Sequence, residues 1–81
     1  MNYKRVDTCS SIIFHLSKGI DVEEFSNILI KERSYKKTGT IGTNIELSKD
    51  DVYMIVGKKT IVVEGDNENE IAAIESLIKD L

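Results

Sequence analysis

The sequence predicts an α+β domain in which an antiparallel sheet carries its helices on one face. Three observations point there. Val52–Val56 and Thr60–Val63 are two runs dense in β-branched and aromatic residues, separated by a glycine and two lysines. Ile71, Ile74, Ile78 and Leu81 recur at helical spacing, with Leu77 widening the stripe. A second stripe, Val22, Phe25, Ile28 and Leu29, follows Asp21. The chain of 81 residues allows one domain and one small core. Residues 1–8 are polar and basic and carry no structural signal, so a flexible start is expected.

Ser10 to Leu16 reads best as a strand, with Ile12, Phe14 and Leu16 sharing a face. A helix through Val6, Cys9, Ile13 and Leu16, ended by Gly19, is its rival. The first reading gives the order β-α-β-β-β-α, and the second gives αα-βββ-α. The following helix has a capping box in Asp21 and Glu24, and Ile20 can staple onto Phe25. Its end is expected to be basic, with Lys31, Arg33, Lys36 and Lys37 around Tyr35, because cations suit a helix C-terminus. Thr38 to Asn44 (TGTIGTN) reads as a loop or the bulged start of a strand. Asn44 to Ser48 is a short strand, and Lys49-Asp50-Asp51 turns into the hairpin.

In the hairpin, Gly57-Lys58 fits the Gly-X signal of a two-residue type II′ turn. That turn pairs Met54 with Ile61 and Tyr53 with Val62. One face then carries Val52, Met54, Val56, Ile61 and Val63 and is the better core. The other face carries Tyr53, Ile55, Thr60 and Val62. After Glu64-Gly65-Asp66, Asn67 can cap the closing helix with Glu70 three residues on.

Composition removes several function classes. At 41% apolar and 31% charged, the chain has the balance of a soluble globular domain. A net charge of −3 argues against a general nucleic-acid binder. The charge is uneven: residues 1–40 hold seven Lys/Arg against five Asp/Glu, and residues 41–81 hold four against nine. One cysteine excludes an internal disulfide, and Cys9 with His15 cannot supply a structural zinc site. The longest apolar run is Val52 to Val56, far short of a membrane span, and the start has no signal-type segment. The cytoplasm is the expected compartment.

The glycine loop is neither a P-loop nor a dinucleotide fingerprint, since no Gly-Lys-Ser/Thr follows. Gly39-Thr40-Ile41-Gly42 resembles the GxxG loop of KH domains, which clamps single-stranded nucleic acid. A KH domain continues directly into a full helix, whereas NIELSKDD leads into a strand. The ending KKTIVVEGDNENEIAAIESLIKDL also resembles the tail of KH domains and of phosphocarrier HPr proteins, although the HPr histidine motif has no counterpart around His15. VYMIVGKKTIVVEG with its helix is similar to TATA-binding-protein-like repeats. Three families sharing one third of the chain mark a generic ending, and membership of none follows.

His15 between Phe14 and Leu16 lacks a nominated nucleophile or carboxylate, and reads as a structural residue. Cys9 reads as a small packed residue. Glu64, Asp66, Glu68 and Glu70 are spaced too loosely for a calcium loop and read as a solvated helix start. The expectation is therefore a non-enzymatic protein-interaction module of regulator, adaptor or inhibitor type, without cofactor or metal. Its partner is another protein or a second copy, docked on Tyr53, Ile55 and Val62. The alternative is a nucleic-acid module using Lys31, Arg33, Tyr35, Lys36 and Lys37 with Gly39 and Gly42.

Overall fold

Eight elements follow one another in the computed structural model, which describes residues 1–81. They are β1 (Tyr3–Asp7), β2 (Ser11–Leu16), α1 (Val22–Arg33), β3 (Lys36–Ile41), β4 (Asn44–Lys49), β5 (Val52–Val56), β6 (Thr60–Glu64) and α2 (Glu68–Lys79). All six strands form one sheet in the order β1-β2-β6-β5-β4-β3, and every neighbouring pair is antiparallel. The α+β class and the strand reading of Ser11–Leu16 hold; the order is ββαββββα.

Two strands were hidden in the sequence. Tyr3–Asp7 is an edge strand, Tyr3 opposite Leu16 and Val6 opposite Ile13, where a flexible start was expected. Lys36–Ile41 forms the opposite edge, where the helix end and glycine loop were expected. Both edges are polar and charged, so neither shows the apolar alternation of a half-buried strand. Helix α1 stops at Arg33 because Ser34 takes a left-handed φ of 65°. Lys36 and Lys37 therefore lie in β3, which bulges between Lys37 and Gly39.

The β5–β6 hairpin has a register two residues wider than the type II′ turn implies. Met54 pairs with Val63 and Val56 with Ile61, and Lys58-Lys59 form the tip. A slip of two preserves the faces, so the core assignment stands. Gly57 has no positive φ; it is small because a Cβ there would lie 3.0 Å from both the Asn44 Oδ1 and the Thr60 carbonyl oxygen. The Gly-X turn occurs instead at Gly42-Thr43, with Gly42 at φ 60° between the paired Ile41 and Asn44. The carbonyls of Lys58 and Lys59 accept the N–H groups of Ile20 and Leu16, both at 2.8 Å, which fixes the tip against the chain that enters α1.

Both helices lie on one sheet face. Asp21 caps α1 by accepting from the Glu24 N–H, and Asn67 caps α2 by accepting from the Glu70 N–H, each at 3.0 Å. The core lies between sheet and helices: Phe14, Leu16, Ile45, Leu47, Val52, Met54, Val56, Ile61 and Val63 meet Phe25, Leu29, Ile71, Ile74 and Ile78. Leu81 falls beyond α2 and is exposed, so it does not complete the stripe. Tyr35, just after α1, is also in the core, and its hydroxyl has no hydrogen-bond partner.

Candidate protein-interaction surface

The two helices leave the other face of the sheet uncovered. Pairing registers build that face residue by residue. Across its centre run Val6, Ile13, Val62, Ile55, Glu46 and Gly39, one from each strand in sheet order. On one flank lie Ser11, Glu64, Tyr53, Ser48 and Lys36. On the other lie Lys4, His15, Thr60, Asn44 and Ile41, with Gly57 between Thr60 and Asn44 and covered by the Asn44 side chain.

Four consecutive strands thus place β-branched side chains in a row, Val6-Ile13-Val62-Ile55, with Tyr53 beside it. These five residues are partly exposed, and none packs against the core cluster. Ile41, 52% exposed, stands at the β3 corner of the same face. The sequence placed Tyr53, Ile55 and Val62 on this face, and there they lie. It did not nominate Val6 or Ile13. Ile13 could have been found by extending the alternation of Ile12, Phe14 and Leu16 to the opposite side. Val6 entered only the rival helical stripe, and with Arg5 and Asp7 charged on either side it carried no strand signal.

The rim has both signs of charge, Lys4 and Lys36 against Glu46 and Glu64, with an exposed His15. Partial burial raises the Tyr53 hydroxyl above its ordinary pKa, and the neighbouring Glu46 carboxylate adds to the rise.

The basic segment does not form one patch. Lys31 is exposed on α1, Lys36 lies on the open sheet face and Lys37 on the opposite side of β3. Arg33 is held by Glu70, donating from Nε at 3.1 Å and Nη2 at 2.7 Å. Lys49 approaches the same carboxylate at 3.2 Å and sits 5.4 Å from the centre of the Tyr35 ring. Arg33 and then Lys49 hold the Glu70 carboxyl down at about 2. Burial is the main cause of the raised Tyr35 hydroxyl, and Glu70 adds to it. These groups tie the end of α1 to β4 and the start of α2. Gly39 faces Glu46 across the bulge and Gly42 makes the hairpin turn, so the GxxG spacing spans a β-hairpin instead of a helix start.

A cleft of about 650 Å³ opens where the β1–β2 turn meets the start of α2. Its cation is already engaged: Arg5 binds Asp7 at 2.8 Å and Glu75 at 2.6 Å. Tyr3 donates to the same Glu75 at 2.6 Å. Cys9 is exposed at this turn, which corrects the packed reading. His15 is exposed too, on the open sheet face. No group of three or more His, Cys, Asp and Glu side chains gathers as metal ligands would. No helix is long and apolar enough to cross a membrane.

No protein-family model, curated protein or solved structure matches this chain.

Proposed function

We propose that this chain is a non-enzymatic protein-interaction module, a regulator, adaptor or inhibitor by class, that binds on the open face of its sheet. The observation that carries the reading is the row Val6-Ile13-Val62-Ile55, flanked by Tyr53 and separate from the core. Contiguous apolar surface with a polar rim is the anatomy of a protein interface, and Tyr is favoured there. The exposed thiol of Cys9 suits the reducing cytoplasm.

The nucleic-acid alternative has less support. Its two strongest groups are committed elsewhere, Arg33 to Glu70 and Tyr35 to the core. On the open face two lysines are balanced by two glutamates, which leaves little field to draw in a phosphate backbone.

Affinity capture from the native host tests the reading, using wild type beside a Tyr53→Ser, Ile55→Thr variant of matching circular dichroism. A bound protein, or a second copy, that the variant loses supports it. A partner held equally by both overturns it. Anisotropy with single- and double-stranded DNA and RNA at low salt is the second arm. Binding that falls steeply with salt and vanishes in Lys36→Glu, Lys37→Glu would favour the alternative.

A further inference from the structure

Resting on that reading, we infer that the partner for the open face is a second copy of this chain, packed sheet to sheet about a two-fold axis parallel to the strands. The axis passes between β2 and β6. Laid over one another this way, the four apolar strands exchange places: β1 covers β5 of the second copy, and β2 covers its β6. Val6 then meets Ile55 and Ile13 meets Val62, so the whole apolar row is covered by the same row reversed. An isologous interface requires this self-match, in which residue i meets j and j meets i.

The polar flanks agree with the same operation. Ser11 meets Glu64, a hydroxyl against a carboxylate, and the Ser11 hydroxyl also lies 2.9 Å from that of Thr8. His15 meets Thr60. Lys4 meets Gly57 and the Asn44 amide that leans over it, a cation against a neutral polar group. No charged residue is laid directly over one of like sign, because Glu46 and Lys36 belong to β4 and β3, outside the overlap. A two-fold axis along the apolar row would instead set Glu46 against Glu46. A strongly acidic or basic partner gains nothing from a face whose formal charges cancel.

Size sets the strength. Four strands about 4.8 Å apart and three rows about 7 Å apart span roughly 400 Å² per copy. The pair would bury near 800 Å², at the weak end of specific interfaces, so the dimer should dissociate in the micromolar range or above. Aligned sheet packing turns the strands by about 30° without moving the centre of the overlap.

The test is sedimentation of the purified chain from micromolar to near-millimolar concentration, combined with crosslinking. Wild type should pass from monomer to dimer, and Ile13→Lys should stay monomeric while keeping its circular dichroism. In a Cys9→Ser background, a short bismaleimide should join Val6→Cys to Ile55→Cys several-fold faster than either variant to itself. A monomeric wild type throughout the range overturns the inference and leaves the proposed function standing if another protein is captured on this face. A dimer indifferent to Ile13→Lys also overturns the inference, since the two copies then meet elsewhere, and the capture experiment alone decides the proposed function. Equal self- and cross-linking rates reject the two-fold axis.

Discussion

Met54 and Tyr53 are neighbours in β5 with opposite fates, and the contrast makes the sheet's two faces measurable. Met54 is fully buried beneath the helices, whereas Tyr53 stands at the margin of the open face. A domain of this length has about 4–12 kcal/mol of stability in hand. Met54→Asp puts an unpaired carboxyl into that core and should abolish the cooperative melt. Tyr53→Ser should cost about 1 kcal/mol, the worth of cross-strand contacts. Thermal denaturation followed by circular dichroism ranks the two. Glu70 is the other residue on which much depends, being 5% exposed and shared by Arg33 and Lys49. Its carboxyl titrates at about 2 in the folded chain against an ordinary 4.5. A depressed carboxyl stabilises the fold fully above the unfolded value, and that contribution is lost as pH falls from about 4.5 through about 2. Arg33 is about one-third exposed, and solvent screens part of the attraction. Glu70→Gln should therefore cost about 2 kcal/mol at pH 7 and flatten the acid limb of a stability-against-pH curve. Urea titrations at pH 7, 4 and 2.5 read both effects.

At the scale of elements, three turns use glycine for three reasons. Gly42 sits at φ 60° with open space around it, so Gly42→Ala should cost about 1 kcal/mol from backbone strain alone. Gly57 has an ordinary φ but a Cβ there would press on Asn44 and the Thr60 carbonyl. Gly65 combines both, with φ 134° and a Cβ only 2.7 Å from the Asp51 carbonyl oxygen. Chemical denaturation of the three alanine variants should place Gly65→Ala as the most damaging. The same elements show what a sequence discloses. Both helices were legible because their caps and stripes are written locally in Asp21, Phe25, Asn67 and Ile74. The faces of β5 and β6 were legible because alternation survives a register slip of two. The outer strands were not, since Tyr3–Asp7 and Lys36–Ile41 gain their shape from the neighbour each pairs with. Val6, the outermost member of the open apolar row, went unread for that reason: it lies in a strand that only Ile13 opposite it makes visible.

Across the whole molecule, four of the five strand pairings join neighbours in sequence through tight hairpins, and one does not. β2 pairs with β6 through Ile13–Val62 and Phe14–Ile61, across the whole intervening chain. That seam has a consequence for the order of assembly. Loop-closure entropy must be overcome before a distant pairing contributes anything, so the β3–β6 meander should form early and the seam should close late. Stopped-flow folding distinguishes the two regions. Leu47→Ala, within the meander, should slow folding, whereas Phe14→Leu at the seam should mainly hasten unfolding. The first two strands would then behave as a latch. In a chain opened at that seam, both the β6 edge and the underside of the core stand exposed while most of the sheet persists. The brief openings that reach proteases and aggregation would begin there, inside the sheet and not at the two edges that charge protects.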